Sequence, residues 1–249
     1  MADPEARLSG MHCGAQAQGE VPMSTWDRYA PIWQQKMGVD GDYWSREIFY
    51  PSMMELCGDG LPGRRTLDLG CGLGGLSFLL EAEGLDVVGV DSSPRLIDEA
   101  KRRAEAQKST VKFYVADARN LSLPGHGTFE LIVCNMALQD MPDANRAMQE
   151  SARMAELGAR AVFSVRHPCT DGWEENYLLE QDLIFPLQEE WQGVTEERLY
   201  PPRHHRPVAY YVNELIASGF AITRCAELMS TPEPRGHPLA LVLTGVRTT

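Results

Sequence analysis

The segment Leu67-Asp68-Leu69-Gly70-Cys71-Gly72-Leu73-Gly74-Gly75 decides the fold of this chain. An apolar stretch ends here, glycines follow, and a new apolar pattern with Leu76, Leu79 and Leu80 begins directly after them. Glycine has no Cβ, so the backbone can turn sharply here and approach a ligand closely. A helix that starts after such a turn presents unpaired backbone N–H groups. The segment therefore predicts a strand, a glycine turn and a helix that form a nucleotide-type binding corner.

Two kinds of nucleotide site fit the glycine spacing. Gly70-x-Gly72-x-x-Gly75 matches the dinucleotide fingerprint, and Asp91 follows at about the twenty-residue spacing of its ribose-binding acid. Asp68, however, stands two residues before the first glycine, where its negative charge would repel pyrophosphate and suit a cationic ligand. The corner also lies well inside the chain, whereas dinucleotide-binding domains often begin with it. These two details argue against a dinucleotide.

The amino-acid composition limits the kinds of partner that this chain is expected to bind. The 249 residues suffice for one α/β domain with a modest appendage, and 43% of them are hydrophobic. No apolar run approaches the length of a membrane span, so no membrane partner is expected. The formal net charge is −12, and the short basic groups at 101–103 and 203–206 form no stripe. A nucleic acid is therefore not expected as a partner.

Residues 1–23 are small, polar and rich in Gly, Ala and Gln, which predicts a disordered leader. They do not show the basic-then-apolar order of a signal peptide, and Met11 or Met23 are alternative starts. The six cysteines are scattered without a Cys-x-x-Cys pair, and no carboxylate cluster has a ligand-like spacing. We expect free thiols in a reducing cytoplasm and no metal.

Strand and helix patterns alternate from Arg65 onward, as in a doubly wound parallel sheet. The predicted strands are 66–69, 87–90, 111–116, 131–134 and 161–165, and helices are predicted from Pro94 and from Asp143 to about Glu156. The alternation stops over 168–207, a segment rich in aromatic and acidic residues.

The pattern resumes with a helix from Val208 that ends at Gly219. Two strands follow, 220–225 and 239–246, joined by a proline-rich turn over 231–238. Because no helix separates them, these two strands must be antiparallel. Seven strands with an antiparallel last one are thus predicted.

With an acid-x-Gly-x-Gly-x-Gly motif at 68–74 and this strand order, the chain resembles the class I S-adenosylmethionine (SAM) methyltransferases over 65–246. The resemblance implies an α/β fold with a Rossmann-like seven-stranded sheet. It also implies a helical N-terminal lid over 24–63, and a SAM-binding domain over 64–249 whose insertion, 168–207, covers the substrate.

The same resemblance assigns cofactor-binding roles. Asp68 would face the α-amino group of SAM, Asp91 would accept both ribose hydroxyls, and Asp117 with Ala118 would hold the adenine. Asp91 has the alternative role of a helix N-cap, which Ser92 or Ser93 could supply instead. The remaining implied cofactor residues are Gly70, Cys71, Gly72 and Gly74 of the corner, Ser92 and Leu96 beside the adenosine, Asn135 and Met136 after the fourth strand, and Tyr29 and Arg46 of the lid.

Two departures from the family pattern are informative. Residues 135–138 read Asn-Met-Ala-Leu, not the Asn/Asp-Pro-Pro-Tyr of the methyltransferases that act on the amino groups of adenine or glutamine, so those substrates are not expected. Gly158-Ala159 stands where the family usually has a glycine pair, which affects only a turn.

Methyl transfer from a sulfonium needs little chemical help, because holding the reactants in line supplies most of the rate. His167, after the fifth strand, is the candidate base, and a purely structural role in its loop is the alternative. The candidate acceptor-binding residues are Trp26, Gln139, Asp140, His167, His205 and Tyr210.

The sequence thus favours a cytoplasmic SAM-dependent methyltransferase, a monomer or homodimer, for an O or N nucleophile of a small molecule in specialised metabolism. A protein or RNA methyltransferase and a non-catalytic SAM-binding partner subunit are the alternatives. An NAD-type oxidoreductase is disfavoured by Asp68 and by the closing antiparallel strand.

Overall fold

The computed structural model describes residues 25–123, 125–170, 177–178, 180–183, 186–187, 198–199, 201–229 and 238–249. The leader predicted for 1–23 lies outside these residues. So does the turn predicted for 231–238, except for Pro238, and much of the insertion predicted for 168–207.

Helices and strands alternate through the central part of the chain. The α-helices are α1 (Thr25–Met37), α2 (Tyr50–Cys57), α3 (Gly75–Ala82), α4 (Pro94–Gln107), α5 (Ala144–Met154) and α6 (Val208–Ala217), with a π-helical turn at Ser45–Phe49. The strands are β1 (Arg65–Leu69), β2 (Asp86–Asp91), β3 (Lys112–Val115), β4 (Phe129–Asn135), β5 (Ala155–Arg166), β6 (Gln181–Leu183), β7 (Pro186–Leu187), β8 (Arg198–Leu199), β9 (Arg203–His205), β10 (Phe220–Met229) and β11 (Pro238–Arg247).

Seven of these strands form one sheet in the order β10-β11-β5-β4-β1-β2-β3. The pairs within β5-β4-β1-β2-β3 are parallel, and β11 is antiparallel to both of its neighbours. The predicted seven-stranded sheet with an antiparallel last strand is therefore confirmed. Because the central strands are parallel, their carboxyl ends share one edge, where open α/β sheets place their ligands.

The central strands are apolar because helices cover both faces of the sheet. Leu67 and Leu69 of β1 are fully buried on one face with Ile132 of β4, and Leu131 and Val133 of β4 are buried on the other. This pattern explains why near-continuous apolar runs in the sequence predicted these strands.

The start of β5 differs most from the prediction. Helix α5 ends at Met154, and β5 begins at Ala155, before the predicted start at residue 161. Ala155 pairs with Phe129, and the register then shifts between Phe129 and Leu131. Long-range pairing with β4 thus recruits the segment around Gly158 into the strand, and a local pattern does not contain that information.

The predicted N-terminal lid is helical and is anchored at two points. In α1, the buried Asp27 accepts hydrogen bonds from Ser93 Oγ (2.8 Å) and the Arg95 N–H (2.9 Å) at the start of α4. Tyr50 of α2 lies against Gly75, where any Cβ would collide with the Tyr50 hydroxyl. After β5, two short ribbons form, β6 with β9 and β7 with β8.

Candidate functional site

The glycine corner follows β1, and its backbone explains the glycines. Gly70 and Gly72 have φ values of 67° and 53°, in the left-handed region that favours glycine. A Cβ on Gly70 would also collide with the side chain of Ala137 after β4. The corner is thereby held against the end of β4, and Gly70 leaves room for both segments.

Asp91 ends β2 and connects the corner to α4. Its Oδ2 accepts the Gly72 N–H (3.0 Å), and its Oδ1 accepts the Ser93 N–H (2.9 Å). Burial raises the pKa of this carboxyl, and the backbone N–H groups oppose that shift. The N-cap of α4 is Ser93, whose Oγ accepts the Leu96 N–H at 3.3 Å. Asp91 is therefore not needed as the cap, which was its alternative role.

Asp117 lies just beyond β3 in a local ion pair. Arg119 Nη2 is 2.8 Å from Asp117 Oδ2, and Arg119 Nη1 is 3.4 Å from Asp143 Oδ2. The hydrogen bonds from Arg119 lower the pKa of the Asp117 carboxyl. An ionised acceptor thus stands beside Ala118 at this end of the sheet. The sequence reasoning did not identify Arg119.

The turn after β4 is unusually constrained. Met136 has φ = 55°, a left-handed conformation that is uncommon outside glycine. Its N–H donates to the Ser164 carbonyl and to Ser164 Oγ, both at 3.0 Å, and Ser164 Oγ donates to Asn135 Oδ1 at 2.7 Å. Residues Leu138–Asp140 then form a 3₁₀ turn.

These segments enclose one cavity of about 300 Å³ at the carboxyl edge of the sheet. Helices α1 and α2 contribute Trp26, Trp33, Met37 and Tyr50, and the segment before α6 contributes Pro201 and Arg203. The predicted cofactor and acceptor residues that line it are Gly70, Cys71, Gly72, Asp91, Ser92, Leu96, Asp117, Ala118, Asn135, Met136, Trp26, Gln139 and Asp140. Residues distant in the sequence are thus brought to one place.

Two residues of the corner lie differently from the prediction. Asp68 is 1% exposed and is not among the described residues that line the cavity. Its Oδ2 accepts the Ser77 hydroxyl at 2.6 Å, so it stabilises the corner from beneath. Gly74 is also outside the lining, and a Cβ there would lie 2.6 Å from Phe113 Cζ. The physical reason for Gly74 is packing against β3.

Two residues of the predicted lid, Tyr29 and Arg46, also have contacts within that segment. Tyr29 is 3% exposed in an aromatic cluster, with its ring 5.7 Å from that of Trp26. Arg46 is exposed, and its guanidinium donates to the Gly41 carbonyl. Neither side chain lines the cavity within the described part of the chain. Trp26, Tyr29 and Trp33 share one face of α1, and within this cluster the two tryptophans line the cavity, whereas Tyr29 is buried.

Three residues predicted for the acceptor or for catalysis also lie outside the cavity lining as described. His167, 2% exposed, accepts the Cys169 N–H at Nδ1 (3.2 Å), so its Nε2 donates to Glu227 (3.0 Å). His205 Nε2 is 3.0 Å from the Tyr177 carbonyl oxygen, and the Tyr210 hydroxyl accepts the Asn145 N–H at 3.1 Å. The two histidines thus have loop partners, as the alternative role for His167 expects, and Tyr210 joins α6 to the first turn of α5.

Arg206 was not among the predicted site residues, but its side chain holds the turn after β4 in place. It is 4% exposed and donates to the carbonyls of Met141 (2.8 Å), Pro142 (2.6 Å) and Leu138 (3.5 Å). It therefore fastens the end of the insertion to the turn that contains Gln139. No local pattern distinguishes this arginine from a solvated one.

No group of three or more His, Cys, Asp or Glu side chains that could hold a metal ion occurs in the described ranges. The helices described for this chain include none that is both long and apolar enough to cross a membrane.

The fold is that of the class I SAM-dependent methyltransferases. Residues 66–158 match the protein family described as a methyltransferase domain. A solved structure of a SAM-dependent methyltransferase from Mesorhizobium loti is similar, with a TM-score of 0.65 and 26% identity over 84% of this chain and 100% of that one.

Two curated methyltransferases are similar in sequence to parts of this chain. A ubiquinone biosynthesis O-methyltransferase of Coxiella burnetii is 36% identical over 104 residues, 42% of this chain and 44% of that protein. A magnesium-protoporphyrin O-methyltransferase of Rhodobacter capsulatus is 29% identical over 185 residues, 73% of this chain and 79% of that protein. The chain thus matches less than half the length of the first of these relatives.

Proposed function

We propose that this protein is a SAM-dependent methyltransferase that transfers a methyl group to an O or N nucleophile of a small molecule. The observation that carries the proposal is the cavity in which the glycine corner, Asp91, Asp117 and the turn after β4 meet. The relatives named O-methyltransferases support a small acceptor for this chain as well.

The residues present fit SAM. Gly70 and Gly72 keep the corner free of side chains where the methionine part would lie. Asp91 is fixed by two backbone N–H groups, and its oxygens have further lone pairs for the ribose hydroxyls. Asp117 offers an ionised acceptor, and Ala118 a backbone N–H, for the adenine. When bound, SAM supplies an activated methyl group on a positively charged sulfur.

The chain itself contributes binding, orientation and exclusion of water. Trp26 and Trp33 pack edge to face, with ring centroids 5.5 Å apart, and form an aromatic wall of the cavity. Such a wall excludes water and favours a nearby cation. Holding a nucleophile in line at reacting distance is worth about 7–11 kcal/mol in well-oriented systems. No dedicated base is required for a nucleophile that arrives deprotonated.

The first experiment measures binding of S-adenosylhomocysteine by calorimetry. We expect Asp91→Ala to weaken binding by about 100-fold, because two charge-assisted hydrogen bonds are lost. Asp117→Ala, at an exposed position, should weaken it by about tenfold. Asp86→Ala is the matched control, since Asp86 is an exposed residue at the other end of β2. Absence of binding to the wild type, or unchanged affinity in Asp91→Ala, would contradict the proposal.

The second experiment asks which acceptor is methylated. Methyl-labelled SAM is incubated with fractions of small metabolites, RNA and protein, and the label is followed. We expect label in the small-molecule fraction, because the net charge of −12 disfavours a phosphate backbone. Label in RNA or protein would support the second candidate, a macromolecular methyltransferase.

We also propose that the protein is cytoplasmic and that it is a monomer or a homodimer.

A further inference from the structure

The Gln139 side chain is held by both of its N–H groups. Its Nε2 donates to the Met136 carbonyl and to Asp140 Oδ2, the latter at 3.2 Å. Met136 is itself fixed by Ser164, and the turn is fastened from outside by Arg206. The amide therefore has one favourable orientation, since a flip would place Oε1 against two other oxygens.

In this orientation Gln139 Oε1 is an acceptor without a donor. The residue is 7% exposed and lines the cavity, and no donor of the described residues lies within hydrogen-bond distance of Oε1. A buried acceptor left in this state has lost its hydration without gaining a donor, which destabilises the protein. Buried polar atoms are otherwise almost always paired, so such an atom in a cavity wall indicates a ligand that brings a donor.

The residues around Gln139 indicate which chemical groups of a ligand this part of the cavity favours. The Asp140 carboxylate lines the same part of the cavity, so two acceptors stand side by side. Met136, Met141 and Pro142 supply apolar wall around them. Arg203 of β9 also lines the cavity, and β9 packs on the 3₁₀ turn that carries Gln139. Oxygen acceptors at this spot repel an anionic group and favour an O–H or N–H.

We propose that Gln139 Oε1 selects the acceptor substrate by accepting a hydrogen bond from its nucleophile, so that the substrates are neutral compounds with a hydroxyl or an amine. This inference rests on the proposed methyltransferase function and makes it more specific. The nucleophile lone pair forms the new O–C or N–C bond, while the C–S bond of SAM breaks with its electron pair on sulfur. The proton of the nucleophile, hydrogen-bonded to Gln139 Oε1 before transfer, is released to solvent as the methylated product leaves.

The proposal excludes three other acceptor classes. A carboxylate brings no hydrogen and carries a negative charge toward Asp140. A thioether or a methyl ether has no donor for Oε1 and would leave it buried and unpaired. A site built to hydrogen-bond a hydroxyl rejects the analogue that has none, for this same reason.

The experiment uses the full chain saturated with S-adenosylhomocysteine. Its probes are a library of matched aromatic fragments in which each phenol, alcohol or aniline is paired with the derivative whose O–H or N–H hydrogens are all replaced by methyl, and with the carboxylate on the same ring. Affinities are measured by ligand-observed NMR competition for the wild type, Gln139→Met and Gln149→Met. Gln149 is exposed on α5 and receives the same substitution, so Gln149→Met is the matched control.

We expect the wild type and Gln149→Met to bind the protic members about tenfold more tightly than their methylated partners. In Gln139→Met the ratio of the two affinities should fall below about threefold. Contacts of the ring alone should account for the ratio that remains. A merely structural role of Gln139 would lower the melting temperature and weaken all fragments equally, leaving the ratio unchanged.

Three results would overturn the inference: a preference for carboxylates, a preference that persists in Gln139→Met, or no protic fragment bound at millimolar concentration. The binding of S-adenosylhomocysteine is measured first for every variant. Its absence in the wild type argues against the proposed function. Normal binding without a protic preference argues against this inference alone.

Discussion

Asp27 Oδ1 accepts the hydroxyl proton of Ser93 at 2.8 Å, although 66 residues separate the two in the chain. The same serine donates its N–H to Asp91 at 2.9 Å. One residue thus connects the lid helix α1 to the carboxylate proposed to hold the ribose. The Asp27 carboxylate also stands at the N-terminus of α4, where the helix dipole favours negative charge.

Asp27→Ala should therefore affect stability and cofactor binding together. Loss of the charge-assisted bonds to Ser93 and Arg95 should lower the free energy of unfolding by about 2 kcal/mol. Urea denaturation measures this, and calorimetry should show weaker binding of S-adenosylhomocysteine. Asp98→Ala, on the exposed face of α4, is the control. Equal stability of the two variants would refute the anchoring role.

Asp68 should make stability depend on pH. Burial, opposed by the Ser77 hydrogen bond, raises the pKa of this carboxyl to about 7. Because the folded state then holds a proton that the unfolded state has released, stability is lost as pH rises through 7. Between pH 6 and 8 the wild type should lose about 1.4 kcal/mol more than Asp68→Asn, which keeps a partner for Ser77. Urea unfolding at both pH values tests this, and parallel curves would contradict it.

Gly70→Ala should abolish binding of S-adenosylhomocysteine. At φ = 67° a Cβ is strained, and here it also collides with Ala137. Gly63 provides the control, because it has φ = 81° and open space around the added Cβ. Gly63→Ala should cost about 1–2 kcal/mol of stability and leave binding intact. Binding by Gly70→Ala with wild-type affinity would show that the corner does not hold the ligand.

Arg206→Met should impair the acceptor side of the site and leave the cofactor side nearly unchanged. Three carbonyls of the turn after β4 lose their donor, which should lower the free energy of unfolding by about 3 kcal/mol. Calorimetry should show S-adenosylhomocysteine binding within about threefold of the wild type, since Arg206 is outside the cavity lining as described. The turn that carries Gln139 should loosen, so protic fragments bind less selectively. Arg146→Met, on the exposed face of α5, is the control.

Much of the fold could be predicted because its signals are local. The apolar run before Gly70 marks a strand that is buried on both faces, and Ser93-Pro94 marks a helix start. The junction of α5 with β5 was misplaced, because the pairing of Ala155 with Phe129 is a long-range contact. Local patterns do not register contacts of this kind.

The acceptor side was predicted less well than the cofactor side. Residues next to strand ends, such as Asp91 and Gln139, line the cavity because the topology puts every strand end at one edge. His167 also follows a strand, but its ring turns away to Glu227 on β10. A sequence gives the position of a side chain along the chain, whereas its direction depends on the elements packed against it.

The sequence by itself determined the glycine corner, the parallel sheet with its antiparallel end and the acids that follow β2 and β3. These features depend on backbone conformation and on strand order, which local residue types encode. Only the tertiary structure decided which polar atoms face the cavity. Asp68 and His167 find partners inside the protein and turn away, whereas the Gln139 amide is held by its N–H groups and presents its oxygen. Hydrogen bonds between distant segments set these directions, and they exist only once the chain is folded.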